Sequence, residues 1–162
     1  MATQDRTHRD DAADTRQKVG RWEWVALPEF GISCMKASFT PAAEESLLGA
    51  EILYTVDLEG AQGVRFRIYP LAGDDRTFLL AEATLAIRPY NGDRPRIRTA
   101  LVLNGQHWQA DMELVPPHSL SAPLVLGTLA YGPRFLLDFQ AEALAGPPMS
   151  WPEPFDPDAT KS

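Results

Sequence analysis

The sequence predicts a mainly antiparallel β fold, a barrel or a sandwich, from three observations. Apolar and cationic residues alternate through Val64-Arg65-Phe66-Arg67-Ile68-Tyr69, the period of a half-buried strand. Asn-Gly pairs at Asn91-Gly92 and Asn104-Gly105 stand between apolar runs, where positive φ suits a tight hairpin. Pro and Gly, 14 and 11 residues, supply the frequent turns that short strands require.

Taken in order, residues 1–18 are charged and free of aromatics, and their composition predicts a flexible polar tail. Residues 19–144 form the single folded domain. Within it Glu44 to Ala50 suits a short helical turn, and Glu51 to Val56 reads as a strand. Gly60 to Gly63 supplies a turn before the strand Val64 to Tyr69. Thr77 to Ile87 is an apolar run open to either strand or helix, and it leads to the turn at Asn91-Gly92. Ile97 to Leu103, the turn Asn104-Gly105, and His107 to Leu114 read as strand, turn, strand. Residues 145–162 are a Pro-rich tail, whose Pro147, Pro148, Pro152, Pro154 and Pro157 suit neither a helix interior nor a central strand.

Charge narrows the partners. The chain carries a formal net charge of −7, which disfavours nucleic acid as a ligand. A local cationic strip, Arg88, Arg94, Arg96 and Arg98, fits the solvated face of a strand. The polar N-terminus lacks an apolar signal region, and no apolar run is long enough to span a bilayer. Cys34 is the single cysteine, so no disulfide forms within the chain. These features predict a cytoplasmic protein that makes no membrane contact.

Three ordered segments carry a family resemblance. Trp24-Val25-Ala26-Leu27-Pro28-Glu29-Phe30-Gly31 is similar to W-V-x-L-P-E-L-G. Lys36 to Ala50 stands where the family has K-A-K-(I/V)-D-T-G-A-R-T-S-A-L-H-A. Leu124-Val125-Leu126-Gly127-Thr128 and Arg134-Phe135-Leu136-Leu137-Asp138 correspond to M-L-L-G-R and R-F-L-V-D. Between them, Tyr90-Asn91-Gly92 is similar to S-N-G. The set resembles the retropepsin-like family labelled ATP-dependent zinc proteases. The resemblance implies a single-domain, closed β-barrel of the acid-protease type.

Aspartic peptidases need two close carboxylates that share a proton, one activating water while the other donates to the carbonyl. A retropepsin supplies one Asp-Thr-Gly per chain, so the resemblance implies a dimer. Here Thr40, Pro41, Ala42 and Ala43 occupy the family's D-T-G-A. A shift of one residue puts Phe39 at the Asp. Neither register supplies a carboxylate. Gly49 stands at the family's His, and Thr128 at its Arg. Glu44, Glu45 and Asp57 are the acids that a displaced chemistry would have to recruit.

The residues suggest no cofactor. His8, His107 and His118 share no ligand spacing, so no metal site is expected. Gly60-Ala61-Gln62-Gly63 lacks the Lys and Ser/Thr that follow a phosphate-cradling loop. The resulting expectation is a degenerate retropepsin-like protein that binds a peptide or protein without cutting it. Arg88, Asn91, Gly92, Arg94, Gly127 and Thr128 are the candidate peptide-binding residues. Two alternatives stand beside it: an active peptidase with a displaced carboxylate, and a structural subunit in a homodimer or a heterodimer with an active paralogue.

Overall fold

Segments with period-two patterning form strands in the computed structural model, which describes residues 15–71, 73–87 and 94–146. Ten strands lie among these residues: β1 (Gln17–Val19), β2 (Trp22–Leu27), β3 (Ile32–Phe39), β4 (Ser46–Leu58), β5 (Ala61–Ile68), β6 (Leu79–Ile87), β7 (Arg96–Leu103), β8 (Gln106–Val115), β9 (Leu124–Leu126) and β10 (Phe135–Leu137). One short helix, α1 (Thr128–Tyr131), separates β9 from β10. Single 3-10 turns span Pro28–Phe30 and Pro117–Ser119.

Eight strands hydrogen-bond in the order β2-β3-β9-β4-β5-β6-β7-β8. Two further pairings cross this order. β4 runs parallel to β8 from Ser46 to Gly49, and β2 meets β7 at Ala26 and Val102. β1 and β10 form a separate parallel pair. The described chain is therefore a sheet-rich, mainly β domain.

Alternation along each strand sends one row inward. On β7 Ile97, Thr99 and Leu101 are buried, and on β8 Ala110, Met112 and Leu114 join them. Phe66, Phe135, Leu27, Ile32, Met35 and Leu48 are among the largest fully buried side chains. Each such side chain stabilises the fold by about 1.5–3 kcal/mol when removed from water.

The turns explain two departures from expectation. The β4–β5 hairpin closes at Glu59 and Gly60, both at positive φ (52° and 88°), as a type I′ turn requires. It thus closes earlier than the Gly60–Gly63 turn read from sequence, and Gly63 lies inside β5. The expected helical turn at Glu44–Ala50 is also corrected. Ser46 to Ala50 begins β4, because Ser46–Gly49 sits between β8 and β9 and its backbone groups go to them. The ambiguous run Thr77–Ile87 yields a strand from Leu79. Asn104 and Gly105 (φ 51° and 77°) form the expected turn between β7 and β8. The Asn91-Gly92 turn lies outside the described residues.

A buried carboxylate ties the end of the described chain to its beginning. Glu23 on β2 is fully buried and accepts backbone N–H bonds from Gly20 (2.7 Å), Leu144 (2.8 Å) and Ala145 (2.9 Å). Three donors replace the water that the carboxylate loses. Nearby, Trp22 Nε1 and Arg21 donate to Glu142 at 2.5 and 2.8 Å and hold its carboxyl below the ordinary range. Among the described residues no helix is long and apolar enough to cross a membrane.

Candidate functional site

β3 ends at Phe39 and delivers Thr40 to a loop that runs beneath β9 and α1. The parallel register of β3 and β9 sets Phe39 beside Leu126 and hence Thr40 beside Gly127. Thr40 donates its backbone N–H to Leu126 O at 3.0 Å. Its carbonyl accepts from the Tyr131 hydroxyl at 3.2 Å, and the Phe39 and Tyr131 rings meet edge to face at 5.2 Å. Partial burial raises the Tyr131 hydroxyl above its ordinary pKa.

Further bonds fasten the rest of the loop. Thr128 N–H donates to Ala43 O at 3.0 Å, and Leu129 N–H donates to Glu44 O at 3.2 Å. Gly127 N–H donates to the buried Ser46 Oγ at 3.0 Å. A Cβ on Gly127 would overlap the carbonyl oxygens of Glu44 and Glu45, so only glycine permits this approach. Gly127 is thus filled by the loop, while Thr128 is half-buried beside it.

The Thr40 side chain is spent locally. Its Oγ1 accepts from the Ala42 N–H at 3.1 Å, a hydroxyl turn that shapes the loop. Pro41, Ala42 and Ala43 are exposed and bring no ionisable group. The loop therefore presents backbone and methyl groups where an acid/base reaction would need a carboxylate.

Two of the neighbouring acids, Glu45 and Asp57, have other partners. Glu45 Oε1 lies 3.4 Å from Arg96 Nη2. Asp57 sits at the far end of β4 and accepts from Gly60 N–H at 3.0 Å, capping the hairpin. Glu44 is exposed and has no ion pair among the described residues. No two of these acids are brought together at Thr40.

The arginine strip is divided by its surroundings. Arg96 pairs with Glu45, and Arg98 Nε lies 3.4 Å from Asp111 Oδ1. Arg94 is exposed and has no ion pair among the described residues. Arg88, Asn91 and Gly92 lie outside those residues. A cleft of about 330 Å³ opens beside the loop, lined by Glu44, Glu45, Arg96, Arg98, Trp108 and Leu129. The Trp108 indole N–H is buried and without a partner among the described residues, while Arg134 stacks 4.4 Å over the ring. A larger cavity of about 590 Å³ lies elsewhere, between the segment after β5 and the Pro117–Ser119 turn.

No cluster of three or more His, Cys, Asp or Glu residues among those described could hold a metal ion. His107 and His118 lie on different elements, and His8 lies outside the described residues. Burial raises the Cys34 thiol above its ordinary pKa, which opposes thiolate chemistry.

Sequence reasoning missed Ser46, Tyr131 and Glu29. Ser46 fell inside the motif match, yet its role depends on Gly127, 81 positions later. Glu29 Oε2 accepts from the Ala100 N–H at 2.8 Å, at a β7 position that pairs with neither β2 nor β6. No local pattern announces either long-range contact.

Comparison with known proteins gives relatives without a settled family. No protein-family model matches the chain. It is 29% identical over 127 residues to a protein of Desulfotalea psychrophila named a probable alpha-L-glutamate ligase, covering 74% of this chain and 27% of that one. A protein of the same name from Shewanella pealeana is 25% identical over 133 residues, covering 78% and 29%. The chain thus spans little more than a quarter of these relatives' length. A crystal structure of a Legionella pneumophila protein of unknown function (DUF785) superposes with a TM-score of 0.67 at 15% identity, covering 80% of this chain and 98% of that one. That likeness gives the fold. None of these three proteins carries the name of a peptidase or zinc protease.

Proposed function

We propose that this chain is a catalytically degenerate retropepsin-like domain that binds a peptide or protein without cutting it. The observation that carries the reading is the Thr40 loop. It is clamped under β9 and α1 by backbone bonds, as an active loop would be held, yet its hydroxyl closes a local turn and no carboxylate stands at positions 40–43. The strand pairings favour a closed barrel, because β2-β3-β9-β4-β8-β7 returns to β2. A barrel with antiparallel strands such as β6 and β7 offers backbone groups to an extended peptide.

The relatives favour a ligand class. Proteins named for joining L-glutamate contain a stretch similar to this chain, and that stretch fills little more than a quarter of their length. A module of this size serves a ligase best by holding a glutamate-bearing peptide, while the joining chemistry resides elsewhere. Arg94, exposed and unpaired among the described residues, is the cation available to such a peptide. Arg96 and Arg98 can exchange their weak 3.4 Å contacts for a ligand carboxylate.

Binding of a labelled glutamate-rich peptide, followed by fluorescence anisotropy, tests this reading. Arg94→Glu should weaken binding by roughly fivefold or more, as losing one exposed ion pair and adding repulsion implies. A glutamine-substituted peptide should bind less well than the glutamate form. Equal binding of the two peptides would overturn the proposed ligand class.

A further inference from the structure

A second surface, independent of the Thr40 loop, lies along β4. The strand is 13 residues long. Its first four residues, Ser46–Gly49, have β8 on one side and β9 on the other. From Ala50 to Leu58 it pairs only with β5 among the described residues. Among the described residues the second edge of this stretch is a row of backbone donors and acceptors with no strand beside it.

Proteins usually blunt such an edge with charge, proline or a bulge. Here Ile52-Leu53-Tyr54-Thr55-Val56 contains no charge and no proline, and Asp57 is the one charged residue from Ile52 to Leu58. A register shift between Ile52 and Tyr54 interrupts the ladder at Leu53, leaving Tyr54–Leu58 as the regular edge. Ile52 and Tyr54 remain 41% and 54% exposed, so apolar surface accompanies the open backbone.

We propose that the Tyr54–Leu58 edge accepts an extended cationic segment of a partner protein as an added strand. Charge selects the occupant. Glu51, Asp57 and Glu59 punctuate the strand and its turn, on a chain of net charge −7. Glu51 also lines the cavity of about 590 Å³, together with Asp74 and Asp75. Arg67 occupies Glu51 at 2.6 Å, and the Asp74 carboxylate serves its own turn, which leaves Asp75 as the exposed acid there without an ion pair among the described residues.

Two other occupants fit poorly. Antiparallel pairing of two copies centred on Tyr54 or Thr55 would set Glu51 opposite Asp57 or Glu59, and like charges directly opposite are destabilising. The chain's own C-terminal residues hold Pro147, Pro148, Pro152, Pro154 and Pro157, which cannot donate to a ladder, and Glu153, Asp156 and Asp158, which repel an acidic edge.

Amide hydrogen exchange on the full chain at low salt, with a short alternating Lys-Val peptide and its Glu-Val counterpart, tests the proposal. Exchange across 54–58 should slow with the Lys-Val peptide only. Tyr54→Lys should weaken that peptide by roughly tenfold, since it opposes like charges and removes a ring contact. Gln140→Lys, an equal charge change at an exposed position off β4, should leave affinity within about twofold. Thr55→Lys repeats the test should Tyr54→Lys fail to fold. The proposal is overturned by absent protection at 54–58, or by equal loss in the β4 and Gln140 variants. Protection that appears without peptide and grows with protein concentration would assign the edge to a second copy instead.

Discussion

At the residue scale, the Thr40 loop depends on two small groups. Gly127 lies against the carbonyls of Glu44 and Glu45, where a methyl has no room. Gly127→Ala should therefore destabilise the fold by about 1–3 kcal/mol, the usual cost of forcing atoms into a packed site. Denaturant melting followed by tryptophan fluorescence checks it, and an unchanged midpoint would mean that the loop yields freely. Ser46→Ala removes the acceptor for a buried N–H and should cost about 1–3 kcal/mol by the same measurement. Cys34, 8% exposed and raised in pKa by burial, should react with iodoacetamide far more slowly than an unfolded control. Labelling at the control rate would contradict its placement.

At the element scale, the strands followed from pattern wherever side-chain alternation and a turn signal agreed. Ile97 to Leu114 is the clearest case. The strand-turn-strand reading holds there: Ile97, Thr99 and Leu101 are buried on β7, and Asn104 and Gly105 take the positive φ that a tight turn needs. Gly105→Val should cost about 1–2 kcal/mol, the penalty of a Cβ in the left-handed region. Pattern failed where long-range pairing decided. Ser46–Ala50 has the composition of a helical turn, yet β8 and β9 claim its backbone. Glu59 is a poor turn signal, and the β4–β5 hairpin still closes on it because Gly60 follows and Asp57 caps it. At the site, the missing carboxylate could be read directly from Thr40. The clamp by Ser46 and Tyr131 could not, because each contact joins residues 81 or more positions apart.

At the scale of the whole molecule, the ends of the described chain are held together by carboxylates. Glu23 gathers three backbone N–H groups, so Glu23→Ala should cost about 1–3 kcal/mol or more by leaving them unpaired. Glu142 adds a pH dependence with a definite sign. Its folded pKa is depressed by Trp22 and Arg21, so its contribution is complete above the ordinary carboxylate range. That contribution is lost as pH falls through the folded value. Glu142→Gln should therefore lower stability at neutral pH and flatten the acid limb, so that the two proteins converge at low pH in thermal melting.

The proposed binding without cutting rests on the absence of an acid at Thr40, and a cleavage assay reaches that point most directly. The purified chain would be offered a broad peptide pool from about pH 3 to pH 8, the range over which carboxylate dyads work, beside Thr40→Asp. The wild type should release no new peptide termini, since a missing acid/base alone costs on the order of 10² to 10⁴ in rate. Cutting regained in the variant would add that the surrounding groove persists. Peptide hydrolysis by the wild type would contradict the proposal and direct attention to Glu44, Glu45 and Asp57.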